Sequence, residues 1–363
     1  MARRDRHLSR TALAGAAILY LAYRALARLR SANLDGQVAL VTGGSRGLGL
    51  LIAQELLRQG CKVAICARDP DELEAARQRL ARSGRVIALG CDLAKREEVE
   101  ATVAQVLARF GRIDVLVNNG GVIQVGPLEA MSLADFELAM GVNFWGTVYT
   151  TLAVLPQMRA RRSGRIANIT SIGGKVAVPH LLPYTCSKFA ALGFSEGIQE
   201  ELAKDHIRVT TVIPGLMRTG SPMNVLFKGD RARELVWFAG GDATALTAMS
   251  AERAAKKIVR AIRRGRSHLT LGLQAKALRL THDLLPRPTA RLLSLGARLL
   301  PRSSDSASER GREIAAHADG HGVVQALARF IGRTARATNQ FSGSRIAPSK
   351  RRRRRSHLPH ARR

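Results

Sequence analysis

Tyr184 and Lys188, in the run Tyr184-Thr-Cys-Ser-Lys188, have the residue types and spacing for proton transfer. Four residues apart on a helix, they share one face, a turn apart. A free phenol titrates near ~10, too high for efficient exchange at neutral pH. A nearby ammonium favours the phenolate and lowers that value. The pair therefore describes an acid/base able to move a proton onto or off an oxygen. Alone it is a frequent coincidence, so its meaning depends on what surrounds it.

A second chemical feature lies far upstream. The run Thr42-Gly-Gly-Ser-Arg-Gly-Leu-Gly49 follows a short apolar stretch at 37–42 and precedes an amphipathic one. Glycines let the backbone turn sharply and approach a pyrophosphate, which amides at the following helix N-terminus can hold. A glycine run has that meaning only between a strand and a helix, and the pattern predicts both. Its spacing is Thr-Gly-x-x-x-Gly-x-Gly, not the commoner Gly-x-Gly-x-x-Gly.

The elements that must position these groups alternate along the chain. Short apolar runs at 37–42, 62–67, 86–90, 115–118, 165–169, 208–213 and 268–271 read as strands, most with helical patterns between them. Fully apolar strands separated by helices predict an α/β fold, a doubly wound parallel sheet covered on both faces.

With these motifs in place, the chain resembles the short-chain dehydrogenase/reductase family, in its ~250-residue Rossmann-fold subtype. The resemblance covers about residues 35–272. Thr42, Gly43, Gly47 and Gly49 match the family's cofactor turn, with Ser45, Arg46 and Leu48 inside it. Asp92, followed by Leu93, matches its adenine contact. Asn118-Asn119-Gly120-Gly121 matches its Asn-Asn-Ala-Gly element with glycine for alanine at 120. Asn143, Ser171, Tyr184 and Lys188 match the catalytic tetrad. Pro214 and Gly215, then Thr219, match the loop over the nicotinamide.

The resemblance implies a role for each residue. Tyr184 would pass a proton to a carbonyl oxygen or take one from an alcohol. Lys188 would lower the tyrosine pKa and bond the cofactor ribose. Ser171 would donate to the substrate oxygen as charge builds there. Asn143 would hold a water that relays protons to Lys188. Taken singly, Ser171 reads as a strand-end cap, Asn143 as a helix polar residue and Tyr184 as a half-buried aromatic. Together, at family spacing, they read as a site.

Cofactor choice follows from charge. A free ribose 2′-OH meets an acid at the end of the second strand, whereas a 2′-phosphate needs cations. Here Ala67 stands where the acid would be, Arg68 follows it, and Arg46 lies in the glycine turn. This predicts NADP(H) over NAD(H), with Asp69 as a counter-candidate should the strand end one residue later. The apolar residues between Leu216 and Met249 suit a mobile lid over a lipophilic carbonyl, or equally core packing or a subunit interface. The competing functions are an NAD-linked alcohol dehydrogenase and a non-catalytic nucleotide-binding scaffold at a membrane. The family's habit implies a homodimer or homotetramer.

The net charge of +30 lies mostly outside this region. Residues 35–251 carry 24 basic against 21 acidic side chains, while 1–34, 252–302 and 303–363 contribute +6, +11 and +10. Basic ends on a near-neutral middle point to an anionic surface touched by the ends. The uncharged segment 11–23 is short for a membrane crossing. It fits an interfacial or short anchor, a helix packed on the protein, or a secretory signal. Segment 273–302 reads as a basic amphipathic helical extension. Segment 303–363, with a transient helix near 323–331 and an arginine run at 351–355, predicts a disordered tail. No aromatic–basic interleaving supports specific nucleic-acid readout. The four cysteines lack metal-ligand spacing, and with a cytosolic cofactor they suggest a cytoplasmic enzyme associated with a membrane.

Overall fold

A computed structural model describes residues 31–243, 248–317 and 322–340. The segments 11–23 and 351–355 lie outside the described residues. Seven strands form one sheet: β1 (Val38–Thr42), β2 (Lys62–Ala67), β3 (Val86–Gly90), β4 (Val115–Asn118), β5 (Gly164–Ile169), β6 (Ile207–Pro214) and β7 (His268–Leu271). Their order is β7-β6-β5-β4-β1-β2-β3, and every pairing is parallel. The order reverses between β1 and β4, where a doubly wound sheet opens a crevice beyond its strand ends.

Parallel strands buried on both faces need helices on both faces, and two apolar clusters meet that need. On one side α1 (Gly47–Arg58), α2 (Pro70–Ala81) and α8 (Ala251–Arg263) bury Leu50, Ile52, Leu56, Ala76 and Ile258 against Val41, Ile65 and Val117. On the other, α3 (Arg96–Phe110), α5 (Gly146–Ala160) and α6 (Leu182–Glu201) cover Leu40, Leu116 and Ile166, chiefly through Val103, Val106, Val154 and Met158. A short α4 (Leu133–Ala139) leads into α5 through a π-helical turn, Met140–Trp145, which contains Asn143. Such a turn inserts an extra residue and re-aims the side chains within it. The run Leu133–Ala160 is long and apolar enough to cross a membrane, but 56% of its apolar window is buried and it is a core element here.

Beyond β7, α9 (Leu273–Leu284) and α10 (Pro286–Ala297) form the helical extension. The expectation of a disordered tail from residue 303 is corrected over 309–317 and 322–340. Glu309–Arg310 pairs antiparallel with Leu226–Phe227, and α11 (Gly311–His317) and α12 (Gly322–Ala337) follow. The reason is a third apolar cluster. Ile314, Val324, Ile331 and Ala335 pack with Met223, Val225, Phe227 and Leu235, the last on α7 (Arg231–Ala243). Arginines 329, 333 and 336 face outward, so a basic composition conceals an amphipathic helix. The same cluster takes up Met223 and Phe227, both under 2% exposed, which makes these two core residues and not lid residues facing a substrate.

Candidate active site

The glycine turn sits at the C-terminal end of β1. Gly43 and Gly47 have φ +60° and +56°, which side chains with a Cβ rarely adopt. A Cβ on Gly43 would also lie 2.7 Å from the Gly120 Cα. The turn is braced from the β4 end. Thr42 Oγ1 accepts from the amides of Asn119 and Gly120, both at 3.0 Å, and Asn119 Nδ2 donates to the carbonyls of Thr42 and Gly43. Asn119 thus shapes the turn. At Gly120 a Cβ would come 2.2 Å from Leu93 Cδ1, so the Leu93 side chain uses the room an alanine methyl would need. Asp92 closes a turn onto the Ala94 amide at 3.1 Å.

The tetrad converges although its members come from the turn after β5, from α6 and from the π-turn. A Cβ built on Gly173 would lie 3.4 Å from Tyr184 Cε1 and 3.5 Å from Ser171 Oγ, which places the phenol ring beside the hydroxyl. A Cβ on Gly121 would lie 2.9 Å from Asn143 Oδ1 and 3.6 Å from Lys188 Nζ. Lys188 is buried, donates to the Ile169 carbonyl at 3.0 Å, and holds its Nζ 5.8 Å from the Tyr184 ring centre. Ser171 Oγ accepts from the Gly173 amide at 3.0 Å.

Electrostatics correct one expectation. Burial pushes the Tyr184 phenol above its ordinary value, against a hydrogen bond with Ser171 that pulls it down. The lysine does not win here, because the same dry environment brings its own ammonium down to about 8. Asn143 has a structural part as well. Its Oδ1 accepts from the Val122 amide, while its Nδ2 donates to the Val122 carbonyl and to Ser187 Oγ, all within 3.0 Å. The side chain therefore clamps the loop after β4 to α6, with both amide hydrogens used and one Oδ1 lone pair left.

At the second strand, Arg68 is exposed just beyond β2, whose last residue is Ala67. Asp69 caps α2 through the Glu72 amide at 2.9 Å, so its carboxylate is already in use. Arg46 does not stand free for a phosphate. Its guanidinium pairs with Glu72 at 2.7 Å. Burial pushes the Glu72 carboxyl up, and Arg46 beside it opposes that. Pro214 ends β6, the Gly215 amide donates to the Leu271 carbonyl, and Thr219 Oγ1 accepts from the Ser221 amide.

Sequence patterns missed several residues that hold this arrangement. Asn118 Nδ2 donates to Asn168 Oδ1 and Thr151 Oγ1, Thr150 donates to Asn118 Oδ1, and Asn168 donates to Ser195, a buried polar web under the tetrad. Asn168 within an apolar strand was the available signal, since an unpartnered amide there would be expensive. Glu72 had none, because its partner Arg46 is distant in sequence.

The comparisons agree with the geometry. Residues 37–227 match the family model for short chain dehydrogenase. A putative oxidoreductase SadH from Mycobacterium tuberculosis is 33% identical over 267 residues, covering 73% of this chain and 96% of the relative. A dehydrogenase/reductase SDR family protein 7-like from Anopheles gambiae is 41% identical over 53% of this chain; the match spans 63% of that relative's length. Among solved structures, the L-sorbose reductase from Gluconobacter frateurii, complexed with NADPH and L-sorbose, superposes with TM-score 0.59 at 28% identity over 65% of this chain and 95% of its own. The parallel sheet, the glycine turn and the four converging side chains thus have one common explanation: the chain belongs to the short-chain dehydrogenase/reductase family, oxidoreductases that interconvert CH–OH and C=O with NAD(P).

Proposed function

We propose that this enzyme reduces a lipophilic carbonyl with NADPH at an anionic membrane surface, Tyr184 delivering the proton. The observation that carries the reading is the convergence of Ser171 and Tyr184, with Lys188 beneath the ring. The site fits a dinucleotide by its own chemistry. The Gly47 amide at the start of α1 already donates to an oxygen acceptor at 2.8 Å, as it would to a phosphate oxygen. Arg68 is the exposed cation available to a 2′-phosphate, and Arg46 becomes a second on release from Glu72. When bound, the nicotinamide supplies the hydride. The protein's part is to aim the carbonyl oxygen at Ser171 and Tyr184. A phenol pushed up by burial keeps its proton across the neutral range, which suits donation to a carbonyl more than abstraction from an alcohol.

The test is an NADPH-consumption screen over lipid ketones, aldehydes, steroids and quinones. Turnover with a markedly lower KM for NADPH than for NADH is expected. Replacing Arg46 and Arg68 together by Ala should raise the NADPH KM roughly tenfold or more and leave NADH nearly unaffected. Equal KM values in the parent would select the NAD-linked reading, and no turnover with any compound would select the scaffold.

The membrane part rests on α9 and α10. Leu280, Leu284, Leu292, Leu295 and Leu299 are all more than half exposed, with Arg287, Arg291 and Arg298 among them. Apolar side chains rimmed by cations suit insertion at an anionic bilayer, where each cation contributes about 1 kcal/mol. Full-length protein should float with phosphatidylserine vesicles at low salt and not with neutral ones. Changing Leu292 and Leu299 to Ser should reduce flotation several-fold. Sedimentation as a dimer that the same changes dissociate would instead make this face a subunit interface.

A further inference from the structure

The last three described residues lie on the cofactor turn. The Gly47 amide donates to the Thr338 carbonyl at 2.8 Å, and Asn339 Nδ2 donates to the carbonyls of Ser45 and Glu72 at 2.8 and 3.0 Å. Gln340 Nε2 sits 2.9 Å from where a Cβ on Gly47 would be, covering the bare face of that glycine. The turn also grips the opposite wall. Thr338 Oγ1 and Gln340 Nε2 both donate to the Thr219 carbonyl, at 2.7 and 3.1 Å, in the loop placed over the nicotinamide. Asn224 Nδ2 holds Gln340 Oε1 at 2.6 Å. Thr338 and Gln340 are 0% and 2% exposed, so this is a packed contact and not a passing one.

We propose that the turn Thr338–Gln340 is an autoinhibitory plug, built from the chain itself, that must withdraw before a dinucleotide can bind. The inference rests on the reading of this crevice as a dinucleotide site. One N–H cannot serve two acceptors at full strength, so the Gly47 amide serves either the Thr338 carbonyl or a pyrophosphate oxygen. A carbonyl dipole with its negative end in that position also repels a phosphate. The plug further fixes the neighbouring cation in an off state, because Asn339 bonds the backbone of Glu72, the residue that holds Arg46. A pivot is present. Asn339 has φ +60°, the left-handed turn that ends α12, while α12 itself is anchored upstream by Val324, Ile331 and Ala335. The turn can swing out with that helix in place. Occupancy of the closed form lowers the apparent cofactor affinity by the fraction of molecules open.

The experiment uses the full chain and two readouts. Asn339→Gly keeps the left-handed backbone and deletes the side-chain bonds to Ser45 in the glycine turn and to Glu72 on α2. Calorimetric titration with NADP+ and with NAD+ should show the variant binding each at least about fivefold tighter than the parent, the equivalent of one net hydrogen bond removed from the closed form. Hydrogen exchange on the parent should show amides 338–340 exchanging faster when NADP+ is added. Unchanged or weaker affinity in a folded variant overturns the plug. So does protection of 338–340 by the cofactor, which would make the turn a wall of the loaded site. If neither protein binds either dinucleotide, the cofactor reading falls first and the plug with it.

Discussion

Tyr184→Phe is expected to lower kcat about a thousandfold and leave the dinucleotide Kd where it was. A positioned proton donor contributes about 10²- to 10⁴-fold, and the other tyrosine among the described residues, Tyr149, is stacked on Trp145. Burial makes the group a retained acid, so the wild-type reductive rate should not fall as pH rises through neutrality on the phenol's account. The decline should come with Lys188, which loses its proton around 8 and with it the charge that steadies a forming phenolate. The variant removes one hydroxyl and keeps the ring, so circular dichroism and melting should change little. Single-turnover and steady-state rates check the first claim and fluorescence titration of the cofactor the second. A loss of only a few-fold would move the proton donor elsewhere, and a matching loss of cofactor affinity would make Tyr184 a binding residue.

The tetrad was legible because its chemistry is local. Tyr184 and Lys188 are one helical turn apart, and Ser171 lies two residues past the end of β5, so motif spacing and strand periodicity place them without tertiary knowledge. Each strand was legible for the same reason, since a strand apolar on both faces has few other stable states. What escaped was long-range and polar. Arg46 carries the same formal charge in the glycine turn whether or not Glu72 lies opposite, yet that pairing changes what it offers a phosphate. Asn143 was placed in its helix, but the π-turn that commits its amide to Val122 and Ser187 leaves no periodic mark. The C-terminal helices were misread because arginine-rich composition resembles disorder. Val324, Ile331 and Ala335 are too sparse to be decisive until the surface around Phe227 exists to receive them. Likewise the apolar residues between Leu216 and Met249 split by partner. Met223 and Phe227 face the added helices, a choice no hydropathy pattern encodes.

Lys188→Met is expected to remove activity and at the same time make the fold more stable. The lysine is 5% exposed, and burial brings it from 10.5 down to about 8, so the folded state holds a charge that the unfolded chain solvates better. That gap corresponds to about 3 kcal/mol of penalty at neutral pH. Methionine has similar bulk and no charge, but it forfeits the bond to the Ile169 carbonyl, about 1 kcal/mol, for a net gain of about 2 kcal/mol. The sign of the pH dependence is a stricter check than the size. Between about 8 and 10.5 the unfolded chain keeps the proton and the folded chain has released it, so wild-type stability should rise with pH across that window. The advantage of the variant should be full below pH 8 and shrink towards the alkaline end. Activity should fall at least about a hundredfold below pH 8, where the wild-type ammonium steadies the phenolate left after donation, and the deficit should narrow above it as Lys188 itself loses its proton. Urea denaturation of both proteins at a series of pH values measures the difference directly. A variant less stable than the parent, or a difference that ignores pH, would mean that Lys188 is held by the fold and not imposed on it. The expected pattern, activity lost and stability gained, marks a residue kept for its chemistry against the preference of the core around it.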